Sequence, residues 1–339
     1  MKKAIIGVLA IIFLFFLGLY VNQTREEGKV EEYSRTEFLM DTVVMVQIFT
    51  DDQREAQRAA DKMFTVMADL EKKFNRHLEG SEVAAINSRA GQVPVDVSAA
   101  TFALIERALN YSQLTSSAFD ITVAPLLDLW GFADEEQHIP AAEELEQALA
   151  FVDCTEVVLD RQAQTVFLPR PGMALDLGGI AKGYIVDQGA EVLQEAGIKS
   201  ALIDAGGDIR VIGFKADQTP WRIGIKHPRQ NSRLAAVLPL VDSSVATSGD
   251  YERFFEGDGV RYHHLLNPQT GRPARGLSSV TIVASEAADA DALSTAIFIL
   301  GAEEGRDLLE SLEGVEGILI TDTEEIYISS GLKGQVEQQ

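Results

Sequence analysis

The segment Ala174-Leu-Asp-Leu-Gly-Gly-Ile-Ala-Lys-Gly-Tyr-Ile-Val-Asp187 does most to limit what this chain can become. Ala174–Leu177 reads as a strand, Gly178-Gly179 closes it, and the spacing predicts a helix over 180–196 that stops at Gly197. A strand turning on two glycines into a helix aims bare amides and the positive end of the helix dipole at an anion. Lys182 adds a point charge. The segment is not a Walker A loop, because Gly183 and not Ser or Thr follows the lysine, and it is not a GxGxxG fingerprint. A plain tight turn with an exposed lysine has the same composition, so the glycine pair decides nothing by itself.

A second stretch, Ala287-Ala-Asp-Ala-Asp-Ala-Leu-Ser-Thr-Ala296, follows the apolar run Val280–Val283 and reads as a helix N-terminus. Residues four apart share a helix face, which sets the Asp291 carboxylate beside the Thr295 hydroxyl. Two hard oxygens so placed suit Mg²⁺, which keeps room for water and phosphate. The competing reading of an aspartate here is a helix cap. The two are compatible if Asp289 caps the helix while Asp291 and Thr295 face the ion.

Charge narrows the partners. The 339-residue chain has a formal net charge of -23, which opposes attraction to nucleic acid and makes a local lysine or divalent cation necessary for an anionic substrate. Cys154 is the single cysteine; it excludes an internal disulfide and a Cys-based zinc site, and reads as a buried thiol. Lys2-Lys3 precede an uncharged run from Ala4 to Val21, roughly 27 Å long as a helix at ~1.5 Å per residue. Residues 1–21 are therefore expected to be an uncleaved signal anchor that leaves the rest outside the cytoplasm. Residues 22–35 read as a polar tether, 36–332 as the folded domain and 333–339 as a tail.

Within that domain, helices are expected from Asp51-Asp52 to Phe74, over Ser81–Asn87, Ser98–Leu114, Ala141–Phe151 and Glu304–Leu312. Strands are expected at Thr42–Phe49, Glu156–Leu159, Thr165–Leu168, from Ala201, at Ile209–Ile212, Trp221–Ile225, Ala235–Val241, His264–Leu266, Gly317–Ile320 and Ile326–Ser329. Their mixed order argues for α+β. Gly206-Gly207-Asp208 reads as a turn between strands. Phe119 is placed to stack on a flat heterocycle, whereas Trp130 and Phe132 read as core. His263 and His264 point to opposite faces of a strand, so only one can act as a general base at a given site. Ser248 lacks the Gly-x-Ser-x-Gly setting of a hydrolase nucleophile.

Taken together, Met40-Asp41-Thr42, Phe119–Thr122 with Leu129–Phe132, Asp176–Tyr184, Gly206–Asp208, Thr247–Tyr251, His264–Gly271 and Asp291–Thr295 resemble, in order, the motifs of the ApbE family of FAD:protein FMN transferases. The resemblance implies a T-fold-like α+β domain that uses FAD and Mg²⁺ to place FMN on a Thr or Ser hydroxyl of a target protein, releasing AMP. It implies metal ligands at Gly179 (backbone), Asp291 and Thr295. It implies FAD contacts at Met40, His77, Ala118, Phe119, Asp120, Asp176, Lys182 and Leu265, and a base at His264. His77 stands at an aromatic position of the family, Asn267 replaces an aspartate, and Ala288 offers only its backbone where some members have a further ligand. The implied acceptors are subunits of Na⁺-pumping NADH dehydrogenase or Rnf type, or extracellular flavoproteins. An FAD pyrophosphatase and a non-catalytic flavin-binding ectodomain remain open alternatives.

Overall fold

Period-two burial builds the central sheet. On β2 (Thr42–Thr50), Val44, Val46 and Ile48 are fully buried beneath helices while Met45 and Phe49 pack on the other side, the pattern of a strand covered on both faces. β1 (Glu31–Leu39) pairs antiparallel with it. The computed structural model describes residues 30–132, 137–230 and 232–338. The expected anchor and most of the tether lie outside these. Among the described residues no helix is long and apolar enough to cross a membrane.

Both domain boundaries shift. β1 begins five residues before residue 36, inside the expected tether. It is an edge strand, and edge strands carry charge on their open side, so Glu31, Glu32 and Arg35 read as linker. At the other end β16 (Glu337–Gln338), in the expected tail, pairs with β9 (Leu234–Leu240).

The helices follow their caps. α1 (Gln53–Phe74) starts where the Asp52 carboxylate accepts the N–H groups of Arg54 and Glu55, and buries Ala56, Ala59, Ala60, Met63, Met67 and Leu70. α2 (Glu82–Ser88) and α3 (Ala99–Leu114) are capped by Ser81 and Ser98. α4 (Ala124–Trp130) was not expected; Pro125 opens it and Gly131, at φ 70°, ends it. α5 (Ala142–Leu149), α6 (Ala181–Glu195), α7 (Ala287–Leu300) and α8 (Ala302–Ser311) complete the set.

The remaining strands of the large sheet are β6 (Ala201–Ala205), β7 (Asp208–Ile212), β10 (Ser244–Gly249), β13 (Leu277–Ala284), β14 (Glu316–Thr321) and β15 (Ile326–Ile328). The eight strands lie in the order β1-β2-β6-β7-β10-β13-β14-β15, every pair antiparallel. Helices α1, α6 and α7 cover one face. The three-stranded sheet of β8 (Trp221–Lys226), β9 and β16 covers the other, where Trp221, Ile223 and Leu238 meet Val211, Val245 and Ile318. Each such fully buried side chain contributes about 1.5–3 kcal/mol. β3 (Val95–Asp96), β4 (Val158–Asp160) and β5 (Thr165–Phe167) form a small separate sheet, and β11 (Phe254–Gly257) with β12 (Val260–His263) a hairpin. The architecture is α+β, as expected.

Two expected strands are absent. Ala174–Leu177 joins no ladder: the Asn87 side chain amide takes the place of a neighbouring strand, donating to the Leu175 carbonyl and accepting its N–H at 2.9 and 2.7 Å. β12 ends at His263, and His264–Leu266 leaves the hairpin, touching the next turn through a single Leu266–Pro273 bridge.

Candidate functional site

Antiparallel pairing brings the β1–β2 turn, the β6–β7 turn and the end of β10 to the same edge of the large sheet. Leu39 pairs with Thr42 and Ala205 with Asp208, so both hairpins turn on two residues. Met40 and Asp41 have φ 54° and 56°, Gly206 and Gly207 φ 63° and 101°, the positive pair that two-residue hairpins of type I′ require. Gly206 has no alternative: a Cβ there would lie 2.3 Å from Thr42 Oγ1. Met40 adopts this conformation without glycine's freedom, held by its N–H bond to Glu71 Oε1 at 2.9 Å. Such strain persists only where the surroundings fix it, and it collects at ligand sites.

Helices α6 and α7 cross beside these turns. A Cβ on Gly183 would sit 2.3 Å from the Ala287 carbonyl oxygen, so only glycine permits the approach. Three hydrogen bonds, running in both directions, lock the crossing. The Gly183 N–H donates to Asp291 Oδ2 at 3.0 Å, and Asp187 on α6 accepts the N–H groups of Ala287 and Ala288 at 2.8 and 2.9 Å. Asp187 therefore caps α7. The expected cap, Asp289, is instead bound by Arg107 and Tyr111, and Asp291 sits a full turn inside the helix.

The anion cradle is narrower than expected. The N–H groups of Ile180 and Ala181 both donate to the Leu177 carbonyl, and that of Gly183 to Asp291, so these amides are spent inside the protein. Lys182 remains as the cation. Its Nζ lies 3.1 Å from Asp208 Oδ2; burial would lower its pKa, but Asp208 and Asp291 outweigh that and raise it. Burial, and then the neighbouring Asp208 carboxylate, push Asp291 well above the usual carboxylate range. Burial likewise raises Asp208, against the pull of Lys182. Two buried carboxylates against one ammonium are short of positive charge.

Thr295 lies one turn beyond Asp291. Its hydroxyl is 3.2 Å from Ser248 Oγ, and the space above the Gly179 backbone is bounded by Phe119 and by Thr295 Oγ1. Among the described residues no group of three or more His, Cys, Asp or Glu side chains is arranged to hold a metal ion. A cation here would rest on one carboxylate with hydroxyl and carbonyl oxygens, a set that fits a hard ion retaining water and substrate ligands.

The adjacent histidines do face opposite ways. His263 is buried, its Nε2 2.9 Å from the Ala274 carbonyl and its ring edge-on to Phe298. His264 faces the cavity with Nδ1 3.2 Å from the Arg253 carbonyl. A carbonyl only accepts, so Nδ1 carries the proton and Nε2 the lone pair. Burial, and then Arg253, push the His264 pKa down to about 4, leaving it neutral and proton-accepting.

All twelve residues expected at the site line one cavity of ≈ 550 Å³, within the range of small-molecule sites. Met40, His77, Ala118, Phe119, Asp120, Asp176, Lys182, His264 and Leu265 are there with Gly179, Asp291 and Thr295. The Asp120 carboxylate is committed inside the protein, accepting from Thr122 in its own loop and from the N–H of the distant Cys154, so its free contribution is its backbone. Trp130 is core, its Nε1–H bonded to the Gly271 carbonyl; Phe132, read as core, stacks on it and reaches the cavity. Cys154 is the buried thiol expected, pushed up to about 11 by burial. Sequence reasoning missed Arg76, whose guanidinium bridges Asp176 and Asp128 on the cavity wall; an arginine directly after a helix carries no signal of its own.

Comparison with known proteins places these features in company. The model of the ApbE family matches residues 40–319. The FAD:protein FMN transferase of Treponema pallidum (strain Nichols) is 36% identical over 325 residues, covering 91% of this chain and 90% of that protein. That of Klebsiella pneumoniae (strain 342) is 36% identical over 300 residues, 88% of this chain and 92% of its own. The crystal structure of the ApbE protein from Thermotoga maritima superposes with a TM-score of 0.85 at 36% identity, over 91% of this chain and 100% of that one. The flavin transferase ApbE of Vibrio cholerae superposes at 0.80 and 30%, over 90% and 99%.

Proposed function

Because the chain belongs to the ApbE family and is a flavin transferase on the strength of its FAD:protein FMN transferase relatives, we propose that it moves FMN from FAD to a Thr or Ser hydroxyl of a target protein, releases AMP, and works with Mg²⁺ held by Gly179, Asp291 and Thr295. The observation that carries this reading is the meeting of a charge-deficient carboxylate pair, a lysine and a neutral histidine in one cavity. Burial favours a proton on this carboxylate pair, and a divalent cation in the proton's place would hold both carboxylates ionised.

In the reaction the hydroxyl oxygen bonds to the phosphorus on the FMN side of the pyrophosphate, and the bond from that phosphorus to the AMP oxygen breaks. Mg²⁺, when bound, supplies charge neutralisation on the pyrophosphate and the departing AMP. Lys182 holds a phosphate oxygen, with Asp208 fixing its ammonium. His264 Nε2 takes the hydroxyl proton. Phe119 and Phe132 give the flat ring systems an apolar wall.

His264→Ala should keep FAD binding within about threefold and lower transfer by about 10²–10⁴-fold, the usual share of a general base. Flavin fluorescence and acceptor labelling separate the two; lost FAD binding would make His264 structural. Its depressed pKa also sets the pH profile. An ordinary histidine would switch transfer off below about pH 6.5, whereas His264 at about 4 should leave the base free at pH 5.5.

The acceptor we favour is a flavoprotein subunit of Na⁺-pumping NADH dehydrogenase or Rnf type, or an extracellular flavoprotein, with the domain tethered outside the cytoplasm by residues 1–21. The uncharged run Ala4–Val21 supports the location, and the protein acceptor in the relatives' name supports the partner class. Expression of the full chain followed by protease treatment of intact cells tests the topology.

A further inference from the structure

We infer that Arg76 is a positioning residue that shapes the glycine turn for its metal, an inference that rests on the reading of Gly179 as a metal ligand. Arg76 comes just after Asn75, the C-cap of α1, and its side chain is only 9% exposed. It lines the cavity, yet its guanidinium is not free to serve as a phosphate-binding cation. Nε donates to Asp176 Oδ2 at 2.7 Å, and Nη2 and Nη1 grip Asp128 on α4 at 2.6 and 3.2 Å.

Asp176 passes this restraint on. Its Oδ1 accepts the Gly178 N–H at 2.8 Å, and its own N–H donates to the Ile121 carbonyl at 2.7 Å. The chain Asp128–Arg76–Asp176–Gly178 thus ends one residue before Gly179. The restraint matters because of what the turn lacks. Among the described residues no strand pairs with 174–177, and Gly178 and Gly179 are the residue type with most backbone freedom. Beyond the Leu177 carbonyl, which closes the turn by accepting the N–H groups of Ile180 and Ala181, the Asp176 side chain therefore helps set where the Gly179 carbonyl lies relative to Thr295. The ion pair with Asp128 adds little to global stability, since Asp128 is 55% exposed and such pairs contribute little. Its consequence is local: a bidentate fork fixes an angle as well as a distance, and lysine cannot reproduce it.

The test uses the full chain with FAD, no acceptor, and Mn²⁺ as probe, free ion being read by electron paramagnetic resonance. Arg76→Ala should weaken Mn²⁺ binding by about 10-fold or more, the usual effect of losing an outer support of a metal ligand, with FAD affinity and melting temperature near those of the parent. Arg76→Lys should fall between the two and carries the test if the alanine variant does not fold. At saturating metal, transfer by Arg76→Lys should recover most of the parental kcat. Parental Mn²⁺ affinity in both variants overturns the inference, whatever happens to transfer. Failure of the underlying reading looks different: the parent itself would bind no Mn²⁺, or Asp291→Asn would bind it as the parent does.

Discussion

Asp291→Asn is expected to lower FMN transfer by about a thousandfold or more, the scale of several kcal/mol of lost charge stabilisation, while leaving the fold intact. The amide has the same size, and its oxygen still accepts the Gly183 N–H that Asp291 Oδ2 receives at 3.0 Å. Stability should respond in the opposite sense. Burial and then Asp208 raise the Asp291 pKa well above its unfolded value. A carboxyl raised in the folded state contributes stability at low pH that is lost as pH rises through the folded pKa. Without metal, the parent therefore suffers this loss on the way to neutral pH and the variant does not, so the variant should melt at the same temperature or higher. Added Mg²⁺ should reverse the order. At a hundredfold excess over Kd a ligand adds about 2.7 kcal/mol to the state that binds it, and only the parent binds it. Melting curves with and without Mg²⁺, beside acceptor labelling, check both halves; transfer within tenfold of the parent removes Asp291 from the metal set.

Gly183→Ala should destabilise the protein by about 3 kcal/mol, even though alanine is the better helix former by about 1 kcal/mol. The added Cβ would meet the Ala287 oxygen at 2.3 Å, the Ala287 carbon at 2.5 Å and the Ala288 nitrogen at 2.7 Å. All three are backbone atoms and cannot rotate aside. Overpacking of this kind costs about 1–3 kcal/mol. Parting the helices also stretches the Gly183–Asp291 and Asp187–Ala287 bonds, each worth about 1.5–3 kcal/mol as a bond to a charged group. Transfer should fall with stability, because Lys182 rides on α6 and Asp291 on α7. A urea midpoint at or above that of the parent would show that the helices tolerate the methyl group.

Much of this was legible in the residues because it rests on local signals. The helical spans of α1, α2 and α3 and the Asp291/Thr295 spacing on α7 are set within a few neighbours. All twelve expected site residues line one cavity. What stayed hidden depends on distant partners. Asn87 replaces a strand for Leu175 across 88 positions. Asp187 caps a helix 100 residues away, and Asp289, the better cap by spacing, is bound by Arg107 from α3. The first-turn amides of α6 looked bare in sequence because their acceptors, Leu177 and Asp291, come from the turn before and the helix across. β1 was hidden for a different reason: an edge strand is polar by necessity.

The central claim is group transfer to a protein hydroxyl. The most direct measurement incubates the full chain with FAD, Mg²⁺ and a candidate acceptor, then determines the acceptor mass, the modified residue and the AMP released. The account predicts an acceptor heavier by one FMN moiety on a Thr or Ser, one AMP for each FMN transferred, and loss of both with Asp291→Asn. Free FMN and AMP in equal amounts beside unmodified acceptors would contradict it, placing water where the hydroxyl is proposed to stand.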